Sequence, residues 1–314
     1  MGLVEAWGGT ALGWFFAHLI EAFYNIFSAL LNPGLWLAWV PQINAPMDEA
    51  GKAALARFIY YGASVELFFA VFVVFLVVTL VGLIWNNVMW RCVRGLEGFA
   101  NAVGRVAAWA GLIMVLQQIV IIFLQGIFAV SDISLGFGFT FSRPVSWWSD
   151  ELKLYNAIVV TMCVTYTFVQ GGHVRVDLFY SIISYRAKRV VDMLGSLFFM
   201  VPSAIVIWLY GWFFLWRHLV LPNPSASDTL ERLIQRAQVL QWNIETISTS
   251  ANGFDAYFLF KILLLTFTGM VMVQAVAFFY RSYLEWKEGE ASEGKFLDKD
   301  RIGDDTAELV VKIH

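Results

Sequence analysis

The chain has 314 residues, of which 59% are hydrophobic, 17% aromatic and 14% charged, against about 25% charged in an average soluble domain. Mean hydropathy is +0.67, and the net charge of -3 is too small to favour a nucleic-acid partner. The composition excludes an ordinary soluble globular chain and makes the membrane span the unit to count.

The N-terminus, MGLVEAWGG, carries Glu5 where a secretory signal would carry positive charge, and no cleavage is expected. Thr10 to Leu31 has helical patterning and stops at Asn32-Pro33-Gly34. His18, Glu21, Asn25 and Ser28 share one face of it. That stripe faces a partner helix inside the membrane, or the helix lies flat at the interface. Trp36, Trp39, Pro41 and Pro46 read as an aromatic-anchored turn, and Asp48 to Arg57 as a short charged link.

A helix rises about 1.5 Å per residue, so about 20 apolar residues cross a hydrocarbon core of about 30 Å. Phe58 to Trp85 is such a stretch, with Glu66 as its one charge. A basic connector follows, with Arg91, Arg94 and Arg105 against Glu97 alone. Val106 to Val130, Leu154 to Val174, Met193 to Trp216 and Ile262 to Tyr280 contain no Asp, Glu, Lys or Arg.

The connections between these spans have their own signals. Ser131 to Pro144 reads as a glycine-rich link, and Ser149 as the N-cap of the next helix, with Asp150 and Glu151 in its first turn. Gly171-Gly172 suits the end of that helix, and Ser184 the start of the following one. The longest loop, Arg217 to Asp255, contains one amphipathic stretch from Asp228 to Ile244. From Arg281 a hydrophilic tail of mixed charge is expected to be mobile.

Lys and Arg in short loops set orientation. Arg91 to Arg105 and Arg175 to Arg189 are the basic connections, two spans apart, and are expected in the cytoplasm with the tail. Ser131 to Lys153 and Arg217 to Asp255 are then outside.

No enzyme motif is present: no phosphate-binding glycine loop, no zinc-binding His pair, no nucleophile elbow. No catalytic, cofactor or metal site is expected. Cys92 and Cys163 do not read as a disulfide. Of the four histidines only His18 lies in an apolar segment, a poor match to the paired axial ligands of a membrane haem protein. Gln117, Gln118, Gln125, Gln170 and Gln274 lie within spans; Gln118 and Gln125 share one face two turns apart. They line a polar path, or they make inter-helix hydrogen bonds that fix packing or dock a partner, and the second reading is favoured.

Arg143 to Gly195 contains RPVSWWSDELKLYNAIVV, then GGHVRVDLFYSIISYRAKRVVDMLG. This stretch resembles the small membrane subunit (DctQ-like, long form) of tripartite ATP-independent periplasmic (TRAP) transporters. Pro144, Trp147, Glu151 and Leu152 match the aromatic segment and acidic helix start of that family. Gly172 to Asp177 match its Gly-His-Val-Arg-Val-Asp signature, and Arg186, Ala187 and Asp192 the opening of the next helix. Glu245, Ser248 and Lys261 are looser matches. The resemblance covers about Gly104 to Tyr280.

The resemblance implies an all-α, polytopic transmembrane protein with a four-helix core and one or two extra N-terminal spans. Residues 1–103 form an N-terminal extension, 104–280 the subunit-like membrane domain and 281–314 the cytoplasmic tail. It implies a scaffold without cofactors in the bacterial inner membrane, partnered by a large TRAP membrane subunit and a periplasmic solute-binding protein, serving ion-coupled uptake of an organic acid. Candidate subunit-interface residues are Glu151, Gln118, Gln125, Gln170, Arg175, Asp177 and Asp192. A self-sufficient small transporter and a membrane-anchored electron-transfer subunit are the alternatives.

Overall fold

The structure is a computed structural model describing residues 3–43, 46–136, 140–170, 182–235, 239–240 and 253–298. It is all-α and multi-spanning. Among the described residues, six helices are long and apolar enough to cross a membrane.

A short helix α1 (Leu3–Trp7) precedes α2 (Ala11–Leu31), whose first turn is capped by Thr10 Oγ1 accepting from the Gly13 amide at 3.1 Å. Its polar stripe turns partly toward the protein, with the His18 ring stacked on Phe69 at 5.2 Å. By length and composition α2 counts as a span. α3 (Gly34–Leu37) and α4 (Glu49–Tyr61) make the turn back, and α4 is capped by Asp48 accepting from the Gly51 amide at 2.7 Å.

Ser64 caps α5 (Val65–Ile84). The expected basic connector then differs from what is found. Only Trp85, in an extended conformation, separates α5 from α6 (Asn86–Gly126). α6 has 41 residues, about 62 Å at 1.5 Å per residue, twice the hydrocarbon thickness. Arg91, Arg94 and Arg105 therefore lie on its hydrophilic half, not in a loop. No Pro interrupts this stretch, and its buried residues Met89, Val93, Glu97, Ala100, Gly104 and Ala107 keep a helical spacing.

The glycine-rich link is a hairpin of β1 (Asp132–Gly136) and β2 (Thr140–Pro144), antiparallel with Ser134 opposite Ser142. α7 (Val145–Gln170) begins directly after it. Ser149 is thus inside the helix and not its cap; the Val145 amide is instead satisfied by Ser131 O at 2.9 Å. Ser184 does occupy the cap position of α8 (Tyr185–Gly195), but its side chain makes no capping hydrogen bond. A π-turn, Ser196–Met200, joins α8 to α9 (Val201–Leu219), the Val201 amide reaching back five residues to Ser196 O.

The amphipathic stretch expected from Asp228 to Ile244 is shorter in its described part. It comprises α10 (Leu230–Gln235) and then β4 (Val239–Leu240), which pairs with β3 (Val220–Leu221). α11 (Phe258–Glu288) has 31 residues and packs against α6, α7, α8 and α9. It passes the expected tail boundary at Arg281, and Arg281, Ser282, Leu284 and Glu285 are buried. Described chain continues to Asp298, folded back against α6.

The outer surface is apolar. Ile84 is 74% exposed, Val106 72% and Leu31 78%, as expected where hydrocarbon rather than water covers the helices. Small residues permit close contact between helices. A Cβ added at Gly104 would lie 2.2 Å from Tyr166 Cβ, which places α6 and α7 in near-backbone contact.

Candidate functional site

The densest polar cluster sits at the hydrophilic ends of α6, α8 and α11. Glu97, Arg189, Arg281 and Glu285 are all buried. Arg281 Nε and Nη2 approach the two Glu97 oxygens at 2.6 and 2.5 Å. Arg281 Nη1 reaches Glu285 Oε1 at 3.4 Å and donates to Lys295 O at 3.1 Å. Glu285 Oε2 lies 2.9 Å from Arg189 Nε, whose other nitrogens reach Asp192 at 3.3 Å and Glu293 at 2.7 Å. Carboxylates and guanidiniums alternate, so each buried charge has an opposite neighbour. Two positive and four negative groups tie three helices and the 290–295 turn together.

One turn further along α6, Asn101 Nδ2 donates to Asp298 O at 2.8 Å and Gln170 Nε2 to the same oxygen at 3.1 Å. Arg105 Nη2 pairs with Asp298 Oδ2 at 3.0 Å. Trp90 Nε1 donates to Glu288 at 2.8 Å. These bonds fold the described end of the chain onto the bundle. Their chemistry is fastening.

A second polar group joins α6 to α7 nearer the hairpin end. Gln117 Nε2 donates to Glu151 Oε2 at 3.1 Å and to Trp148 O at 3.2 Å, and Tyr155 OH donates to Glu151 Oε1 at 3.2 Å. Trp147 Nε1 donates to Asp255 at 3.3 Å beside the start of α11.

The candidate interface residues separate into three sets. Glu151, Gln170 and Asp192 engage neighbours within the chain, as just described. Gln118 and Gln125 lie on the exposed face of α6 in its apolar half. Arg175 and Asp177, with the rest of the Gly172 to Asp177 signature, lie outside the described residues, as do Glu245 and Ser248. Among the described residues no group of three His, Cys, Asp or Glu side chains is placed to hold a metal ion.

Sequence reasoning treated Glu97 as a lone acid in a basic connector and Arg281 as the first residue of a tail. Periodicity was the available signal: extending the apolar stripe of α6 back from Gly104 through Ala100 puts Glu97 on the buried face. A carboxylate there requires a buried cation.

No family model, no curated protein and no solved structure matches the chain. Fold and surface establish a multi-spanning, helical membrane protein.

Proposed function

We propose that this chain is the small scaffold subunit of a TRAP-type solute transporter in a bacterial inner membrane. It packs against a larger membrane subunit and helps dock a periplasmic binding protein for ion-coupled uptake of an organic acid. It performs no reaction. The observation that carries the reading is the exposed face of α6. Gln118 and Gln125 present amides from an apolar span to its surroundings, with Leu112, Val115, Ile119 and Ile122 exposed around them. In hydrocarbon an unpaired amide is costly, and a partner helix with complementary groups relieves it.

The Arg143 to Gly195 resemblance supports the same reading. Gln117 and Gln170 are engaged in internal hydrogen bonds, to Glu151 and to Asp298 O, which suits a scaffold. Arg175 and Asp177, which follow the Gly171-Gly172 pair in sequence, serve assembly.

The test is co-expression with a TRAP large membrane subunit, measuring complex recovery and uptake together. Q118L/Q125L is expected to lower complex recovery by roughly tenfold, about 1.4 kcal/mol, without lowering the thermal stability of the isolated chain. D177A is expected to lower complex yield and uptake in parallel. Full complex recovery in both variants, or uptake by this chain alone in liposomes, overturns the proposal; the latter result identifies a self-sufficient transporter.

A further inference from the structure

The described chain beyond α11 has two parts with different anchoring. The first, Gly289 to Glu293, leaves the helix at Gly289 with φ +86° and makes a 3₁₀ turn at Glu290–Ser292. It is held from inside. Ser292 is buried and donates to Gly289 O at 2.7 Å, and Glu293 meets the buried Arg189 at 2.7 Å. The Gly294 amide donates to the buried Glu285 at 3.3 Å. The second part, Lys295 to Asp298, is an arm laid across α6, α7 and α11. Gly294 joins the two at φ +67°, a left-handed value that glycine adopts freely, and the chain can pivot there.

The arm lies in its groove as a bound peptide would. Arg281 Nη1 donates to Lys295 O at 3.1 Å. The Phe296 ring lies 5.7 Å from Trp90, with the Arg94 guanidinium 5.0 Å from its centre. Leu297 packs on a cluster of Ala100, Val169 and Met270. Asn101 and Gln170 take Asp298 O, and Arg105 takes its carboxylate.

This hold is superficial. Phe296 is 52% exposed, and the Arg105 and Asp298 side chains are 44% and 56% exposed. An ion pair so open to solvent is weak and is screened by salt. The backbone is also strained. Phe296 sits at φ +60°, a region that bulky residues keep only while their surroundings impose it.

The groove does not need the arm in order to exist. α6, α7 and α11 pack directly on one another, with Gly104 against Tyr166 and with Ala100, Val169 and Met270 in one cluster. Lifting the arm bares the Asn101 and Gln170 amides, one edge of Arg281 and the seat of Leu297. These lie at the hydrophilic end of the bundle, where water satisfies the polar groups.

We propose that Lys295 to Asp298 is a hinged strap that exchanges between docked and released states. Leu297 in its seat and Asp298 on Arg105 latch it, and rising ionic strength loosens it. The strap is thus a salt-sensitive cover over the groove between α6, α7 and α11. This inference is independent of the subunit reading.

The test is pulsed electron paramagnetic resonance on the full chain in detergent. Cys92 and Cys163 are replaced by Ala, and spin labels are placed at K295C and at A102C on the exposed side of α6. The K295C label removes the Lys295–Glu288 pair and leaves Arg105–Asp298 as the pair under test. A short docked distance and a longer released one are expected. The released fraction should rise about two- to fivefold, the worth of one exposed ion pair, as salt goes from about 0.05 M to about 0.5 M. D298N is expected to show the larger released fraction already at low salt and to lose the salt dependence. L297D is expected to be released at both salt levels; if it fails to fold, D298N alone decides. A single short distance in the wild type and in every folded variant, at both salt levels, marks a fixed element and overturns the proposal. So does a released fraction that neither salt nor D298N changes.

Discussion

The Arg281 guanidinium on α11 forms a two-point fork with the Glu97 carboxylate on α6, at 2.6 and 2.5 Å, across 184 residues of sequence. Both side chains are less than a tenth exposed. The fork decides how the two longest helices meet. Truncating one partner leaves the other charge buried and incompletely compensated, at a cost of about 3–5 kcal/mol. Arg281 keeps Glu285 and Lys295 O, so E97A is expected at the lower end, about 3 kcal/mol. The double variant E97L/R281M is expected to recover most of the loss. Thermal unfolding of the purified chain in detergent checks both, and a double variant no better than E97A would remove the fork as the cause.

Gly104 sets the separation of α6 and α7. An added methyl would sit 2.2 Å from Tyr166 Cβ, an atom fixed to its helix backbone. G104A is therefore expected to destabilise by about 1–3 kcal/mol through overpacking. The neighbouring change G98A meets nothing within 4 Å and is expected to be neutral or slightly stabilising through better helix propensity. Comparing the two melting temperatures separates packing from propensity.

Gln117 and Glu151 hold the same helix pair nearer the hairpin. Inter-helix hydrogen bonds in membranes are worth about 0.6–2 kcal/mol. Q117L is expected to cost about 1 kcal/mol, whereas Q118L, whose side chain faces outward, is expected to cost nothing in the isolated chain. Equal losses would mean that both amides bond within the chain.

Orientation follows from placing the basic half of α6 and the Arg186 to Arg189 cluster in the cytoplasm. With Cys92 and Cys163 replaced by Ala, a membrane-impermeant thiol reagent applied outside is expected to label S225C and not E290C. Both positions are exposed. The reverse pattern would invert the protein in the membrane.

Asp48 is held below its usual carboxylate range, first by the Gly51 amide and then by Gln42. A depressed folded-state value stabilises above the unfolded value, near pH 3.8. That contribution is lost as pH falls through the lower folded value. Protection of the α4 amides from hydrogen exchange, taken relative to the intrinsic rate at each pH, is expected to fall below about pH 4 in the wild type. D48N keeps a capping oxygen without that titration, so its α4 protection should follow pH more weakly there. Identical profiles in the two proteins would show that other groups govern the acid response.

The sequence by itself determined the membrane class, the span count to within one, and the approximate places where spans begin and end. These depend on length and local hydropathy, which a single helix carries whether or not it has neighbours. Tertiary structure decided which polar residues look inward. Gln117 and Gln118 are adjacent in sequence, yet one bonds Glu151 and the other faces out, because the position of α7 sets the inward face of α6. It also made an ordered clasp from Glu97, Arg189, Arg281 and Glu285. Charges read one at a time look solvated; only the convergence of α6, α8 and α11 removes them from water and supplies opposite partners at bonding distance.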